Sequence, residues 1–237
     1  MKNPAAGGGR WVEVPPERLV SWIVTFAERH GGPGPVTRAG DGATVTFAAA
    51  DGATAECHPP FPPLPVLGQA SLAGPGEVAA AIVAHAQASR TVGVLLVRLG
   101  GYAAGVFTGS PPVLAGSKAG RRLVHGRSAA GGWSQHRFAR RRDNQAATAL
   151  NAAADAAAEV FGPYGAGGLD AVVLGGDKRS AAGLRDDPRL RDYLARAQER
   201  FLTVPDPRPA VLREIPRAYL AIRIRLTEPE SAGRPGG

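Results

Sequence analysis

The spacing of apolar and polar positions divides the chain into two stretches of different character. WVEV at 11–14 alternates as a short strand does, and Pro15-Pro16 after it suits a helix start, because proline is tolerated at the first helical position. Leu19, Val20, Ile23, Phe26 and Ala27 recur at helical spacing and predict one apolar face, which GGPGP at 31–35 stops. TVTFAAADGATAECH predicts a hairpin with Asp51-Gly52 at its turn. PPFPPLP at 59–65 predicts a stiff extended segment, and EVAAAIVAHAQA at 77–88 a second helix. Residues 1–88 therefore form a small α+β unit, in which the Gly/Ala-rich residues 1–9 are expected to be disordered.

From residue 89 the pattern changes. VGVLLVR at 92–98 is apolar throughout, as a buried strand is; Gly100-Gly101 turns the chain, and YAAGVFTG returns beside it. A third strand near 112–116 or 121–125 completes a meander. A long helix follows, with Ala146, Leu150, Ala153, Ala157 and Phe161 on one face and GPYGAGG as its stop. LDAVVLGG predicts a buried strand, DPRLRDYLARAQERF a helix, FLTV a short strand, PAVLREI a helix and AIRIRL an alternating strand. A meander followed by α-β-α units implies a mixed α/β domain over 89–227, a mixed sheet with helices packed on it, and 228–237 is expected to be a disordered polar tail.

Composition narrows the chemistry. The chain has 237 residues, 44% of them apolar, enough for a real core. Cys57 is the only cysteine, so neither an internal disulfide nor a cysteine-built zinc site is available. The five histidines lack metal-ligand spacing, and Asp143, Asp170 and Asp177 are too dispersed for a two-metal nuclease. VLGGDKRS at 173–180 lacks the spacing of a phosphate loop, and Gly175-Gly176 is expected to be a turn. Trp11, Trp22 and Phe26 are expected in the core. No metal and no cofactor is expected. MKNPAAGGGRW has no apolar leader and no run is long enough to span a bilayer, which predicts a cytoplasmic protein without a membrane partner.

Charge points to a partner. The net charge is +8, yet no acidic residue lies between Glu77 and Asp143. Ten cations do: Arg90, Arg98, Lys118, Arg121, Arg122, Arg127, Arg137, Arg140, Arg141 and Arg142. The remaining 18 basic and 20 acidic residues leave −2, so the basicity is local. A local basic patch is the footprint of a polyanion-binding surface. The seven arginines from Arg121 to Arg142, with no carboxylate near them in sequence, repel one another unless an anion compensates.

Inside the patch lies HGRSAAGGWSQHRFARRRDNQ, residues 125–145. Ser134 is placed to cap a helix beginning near Gln135. Arg137, Arg140, Arg141 and Asn144 then share one face, with Ala139, Ala146 and Leu150 toward the core. Gly131 and Gly132 free the backbone ahead of it, and Trp133 offers a ring for base stacking. Gln135 is neither acid nor base near pH 7; it can orient a water, donate to a developing oxyanion or hold a substrate hydroxyl. His125 and His136 flank the loop as phosphate contacts, proton-transfer aids or plain polar residues.

The order HGR, Gly-Gly, then Gln followed by HRFARRR resembles the central domain of the eukaryotic and archaeal class-one translation termination factors, over about Val92 to Arg225. In that family the glutamine follows the glycines directly. Here Trp133 and Ser134 intervene, and the interrupted loop looks more like the Vms-type release-factor-like proteins and their actinobacterial relatives. The resemblance implies an RNase-H-like mixed sheet and a monomeric peptidyl-tRNA hydrolase that frees nascent chains from stalled large ribosomal subunits. It implies Gln135 as the catalytic residue, with Gly131, Gly132, Trp133 and Ser134 shaping the loop. Lys118, Arg121, Arg122, Arg127, Arg137, Arg140, Arg141 and Arg142 would bind RNA, the partners being peptidyl-tRNA and large-subunit rRNA. Two other readings of the same residues stay open: a ribosome- or RNA-binding module without chemistry, and cleavage of the tRNA near its 3′ end.

Overall fold

Prolines open the first helix and glycines close it. Pro15 is extended and Pro16 takes the first helical position, where a missing N–H costs no helical bond. Beyond the last turn Gly31 and Gly32 have positive φ, 79° and 120°, and the Gly32 N–H donates to the Ala27 carbonyl at 2.8 Å.

The computed structural model of the chain describes residues 3–4, 8–65, 74–98, 100–121 and 135–229, with the backbone alone at 3–4 and 135–144. The first elements are β1 (Asn3–Pro4), β2 (Arg10–Val14), α1 (Pro16–Arg29), β3 (Pro33–Arg38), β4 (Val45–Ala49), β5 (Thr54–His58) and α2 (Pro75–Ala86). Then come β6 (Arg90–Arg98), β7 (Gly101–Gly109), β8 (Val113–Arg121), α3 (Gln135–Phe161), β9 (Ala171–Gly176), α4 (Lys178–Ala182), α5 (Arg191–Leu194), α6 (Pro209–Leu220) and β10 (Ile222–Thr227). They make a mixed α+β chain of two compact units, residues 1–88 with 220–237, and residues 89–219.

The first unit is a six-stranded antiparallel sheet ordered β1-β2-β10-β5-β4-β3. Alternation puts Val45, Phe47, Ala55, Cys57, Ile222 and Ile224 on one face, where Leu19, Ile23 and Phe26 of α1 and Val78, Ala79 and Ile82 of α2 cover them. Burial pushes the Cys57 thiol far above its ordinary value, so it is an inert core group. At the β4–β5 turn the Ala53 N–H donates to Asp51 Oδ1 at 2.9 Å and Gly52 has φ 91°, as an Asp-Gly hairpin requires. On the opposite face Glu56 accepts from Arg225 at 2.6 Å and from His58 at 2.7 Å.

The second unit is a four-stranded sheet ordered β8-β7-β6-β9, antiparallel except for the β6–β9 pair. One face packs on α3 through Leu95, Val97, Ala104 and Val106. The other face meets α6, where Leu212 lies over Gly105 and the Tyr219 ring stands edge-on to Phe107, centroids 6.2 Å apart. Gly93 makes room for the end of α3: a Cβ there would sit 3.2 Å from the Phe161 ring, and 2.9 Å from Leu169 beyond the helix.

Several expectations change. AIRIRL was expected in the 89–227 domain, but β10 lies between β2 and β5 of the first sheet, because Ile222, Ile224 and Leu226 alternate in phase with that core. Asn3 and Pro4, within the stretch expected to be disordered, pair with Trp11 and Arg10. Val20 is exposed, and β3 starts inside the GGPGP that was to be only a helix stop. PPFPPLP bends: Phe61 has φ 57° and is buried with Leu64. Trp11 and Trp22 are half-buried, and only Phe26 is fully in the core. On α3 the buried stripe begins at Ala149, whereas Ala146 is exposed.

The long helix expected over DPRLRDYLARAQERF shrinks to α5. Asp187 accepts from the Arg189 N–H at 3.0 Å, a local bond that competes with helix. Further on, β9 takes the backbone for itself: the Gln198 N–H donates to Val172 O and the Leu202 N–H to Leu174 O. FLTV contributes only the Gly175–Leu202 bridge. Gly175 and Gly176 are the end of β9, not a turn.

Two outcomes follow from this packing. Gly176 has φ 107°, and a Cβ there would lie 2.2 Å from the Val97 carbonyl oxygen. Gly176→Ala should lower the unfolding free energy of the second unit by about 1–3 kcal/mol or more, read from urea titration. Partial burial pushes the Glu56 carboxyl up, but the bonds from Arg225 and His58 outweigh it and hold the group below its ordinary 4.5. Its contribution is complete above pH 4.5 and is lost as pH falls through the lowered value. Glu56→Gln should therefore flatten the acid limb of the stability–pH curve, measured by tryptophan fluorescence in denaturant.

Candidate functional site

The parallel pairing of β6 with β9 gathers cations at one end of the second sheet. Arg121 ends β8 opposite Gly101, Gly101 lies opposite Arg98, and Val97 lies opposite Gly176. The Asp177 N–H donates to Val97 O at 2.8 Å, so α4 starts beside the end of β6. Asp177 caps α4 by accepting from the Arg179 and Ser180 N–H groups, 3.1 and 3.3 Å, and from the Ser180 hydroxyl at 2.7 Å. The hydroxyl bond, with the two N–H bonds behind it, holds the Asp177 carboxyl below the usual range against partial burial. That carboxylate is therefore committed to the helix start.

Arg98, Arg121, Lys178 and Arg179 thus share this end. Arg98 donates to the Val204 carbonyl at 2.9 Å. Arg121 lies 3.4 Å from Asp206, which also accepts from Arg208 at 3.4 Å. Lys178 and Arg179 have no carboxylate partner among the described residues. Beside α4 a cleft of about 420 Å³ is lined by Leu174 and Phe201 together with Lys178 and Arg185.

α3 runs toward the same end. Its Phe161 lies by Gly93 near the start of β6, and its Leu150 by Gly183, just after α4. Among its described side chains the first buried one is Ala149. Residues 135–148 precede Ala149 along α3, roughly 20 Å of helix at about 1.5 Å per residue. At about 100° per residue, positions 137, 140 and 141 fall on the side of α3 away from Ala153 and Ala157, while positions 135 and 142 fall in line with them.

The residues expected to act are placed unevenly. Gln135 is the first residue of α3. Gly131, Gly132, Trp133, Ser134, Arg122, Arg127 and His125 lie outside the described residues. Arg137, Arg140, Arg141, Arg142 and His136 are placed by backbone only. Lys118 is on β8 and pairs with Glu159; that hydrogen bond raises its pKa. The expectation that no carboxylate approaches the cations is thus corrected at Lys118 and Arg121, because Glu159 and Asp206 arrive from distant sequence. Lys178 and Arg179 were not singled out, though their signal, a basic pair just after a buried strand, is present in VLGGDKRS. Among the described residues no group of three or more His, Cys, Asp and Glu is placed to hold a metal ion, and no helix is long and apolar enough to cross a membrane.

The sequence profile of a family described as the Actinobacteria/chloroflexi VLRF1 release factor matches residues 90–225, more than half of the chain. No curated protein matches. Among solved structures, the chain is similar to an archaeal translation termination factor, aRF1, at TM-score 0.41 and 11% identity, over 86% of this chain and 62% of that one. It is also similar to a structure described as an archaeal protein, at TM-score 0.36 and 10% identity, with 86% and 62% covered. The chain therefore spans less than two thirds of either structure's length. By the profile match across its second unit, this chain belongs to the Actinobacteria/chloroflexi VLRF1 release factor family.

Proposed function

We propose that the chain is a cytoplasmic peptidyl-tRNA hydrolase that frees nascent peptides from tRNA on stalled large ribosomal subunits, with Gln135 at the scissile ester. Membership of a release-factor family supports ribosome-related termination or rescue as its setting. The observation that carries the finer reading is the register of α3. Gln135 opens the helix, and roughly 20 Å of it precedes the first buried side chain described. A glutamine at the very start of a long helix can be presented to a narrow cavity that the body of the protein cannot enter.

In the proposed reaction the oxygen of a water attacks the ester carbonyl. The bond to the 3′ oxygen of the terminal adenosine breaks, and that oxygen leaves with a proton supplied in net by the water. Gln135 orients the water through its amide, aided by the neighbouring ribose hydroxyl. Orientation of this kind accounts for up to about 7–11 kcal/mol of a barrier. The cations act on phosphate: positions 137, 140 and 141 on the outer side of α3, and Lys178 and Arg179 at the sheet end.

Gln135→Ala should leave affinity for stalled subunits within about twofold and slow peptide release at least about a hundredfold. The assay is labelled peptidyl-tRNA on the subunit, with the 3′ end of the product RNA mapped. An intact end is expected, release at full rate would remove Gln135 from the chemistry, and a shortened RNA would mean tRNA cleavage instead. Asp206 holds Arg121 and Arg208. Asp206→Asn should steepen the fall of log tRNA affinity with log salt by up to about 1.4, at about 0.7 for each cation released to a phosphate. Filter binding at several salt concentrations measures it, and an unchanged slope would mean that neither arginine reaches phosphate.

A further inference from the structure

The first unit carries a groove of about 620 Å³ between α1 and the β2–β10 side of its sheet. Val12 and Leu226 form its floor, and α1 forms its wall through Arg18, Trp22, Thr25 and Arg29. These four helical residues stand at i, i+4, i+7 and i+11, one continuous stripe. Arg18 and Arg29 are therefore roughly 16 Å apart along the helix, with a flat indole between them.

The charges of the groove are unequally committed. Glu228 lies 3.9 Å from Arg10 and 3.6 Å from His30, whose other ring nitrogen is 2.8 Å from Asp51. Glu13 is also engaged. Arg18 and Arg29 are exposed and have no carboxylate partner among the described residues. The acids of α1 nearest to them in sequence, Glu17 and Glu28, sit about 100° around the helix from the stripe. The two tryptophans of this unit differ in the same way. Trp11 is already covered, with the Arg223 guanidinium 4.2 Å over its ring and the His58 ring edge-on at 5.0 Å. Trp22 is stacked parallel on Phe26, centroids 5.8 Å apart, which holds the ring in one plane while it lines the groove.

We propose that this groove is a binding site for single-stranded RNA, with Arg18 and Arg29 on two non-adjacent phosphates of one strand and a base between them stacked on Trp22. Two open cations separated along a track, with a braced aromatic ring between them, suit a single strand, which carries phosphates and bases along the same line. An acidic peptide would use the arginines but has no flat ring for the indole. The groove's volume lies in the range of small-ligand sites, so it takes a few nucleotides at most. Its lining lies outside residues 90–225, and RNA binding here stands apart from the ester hydrolysis proposed for the second unit.

The test is indole N–H spectroscopy of the full chain, with the Trp22 signal identified by Trp22→Phe. Titration with a single-stranded RNA of about eight nucleotides should move the Trp22 signal saturably and leave that of Trp11 in place. In the exposed pair Arg18→Gln with Arg29→Gln the Trp22 titration should weaken about tenfold or more, and its log–log salt slope should fall by about 1.4 for two lost phosphates. Gln135→Ala should leave the titration unchanged, which separates this site from the hydrolytic reading. A Trp22 signal that stays still while the protein binds RNA elsewhere would overturn the proposal. So would a poly-glutamate peptide that moves Trp22 as far as RNA does, which would make the groove a peptide site.

Discussion

The seam between α3 and the second sheet is the contact on which the rest of that unit depends. Ala149, Ala153, Ala156 and Ala157 give the helix a face of small residues, and Gly93 receives the Phe161 ring that a Cβ would displace. Small residues on one partner and a glycine on the other let backbones approach closely, and the buried Phe161 contributes about 1.5–3 kcal/mol by transfer alone. Because β9 runs parallel to β6, the chain must cross the sheet between them, and α3 does so. Packing at its C-terminal half then decides where its other half points. The chemistry proposed for Gln135 needs a helix start held in a fixed position more than it needs an acid–base pair.

Electrostatics here is a matter of which cations already have partners. Local sequence suggests a run of guanidinium groups facing no acid, yet Glu159 and Asp206 fold back onto Lys118 and Arg121. Such exposed pairs are worth little to stability. Lys178 and Arg179 have no such partner among the described residues, and Arg18 and Arg29 on α1 share that condition. The cations thus fall into two kinds, those already paired with a carboxylate and those without one.

Much of the architecture was legible because local pattern and tertiary demand agree. The apolar run of β6, the Gly100-Gly101 turn and the Asp51-Gly52 hairpin carry their own chemistry, and nothing distant overrides it. Legibility failed where a distant partner claimed the backbone. Residues 187–201 have helical spacing, but β9 bonds to Gln198 and Leu202 and a local Asp187 bond breaks the first turn. AIRIRL announced itself as a strand, while nothing within six residues says which sheet it joins. At the candidate site, α3's start at Gln135 follows from spacing, whereas Asp206, Glu159 and the cations of α4 enter only through contacts long in sequence.

The position of β10 has a bearing on how the polypeptide is made. It is the inner strand that joins β1-β2 to β5-β4-β3. A ribosome delivers residues in order, so these two halves wait, unjoined, while the whole of 89–219 emerges. The inserted body is available to fold first, and the first sheet closes only once β10 has followed it. Until then Ile222 and Ile224 have not arrived, and the hydrophobic faces of β2 and β5 lack the neighbour that divides them.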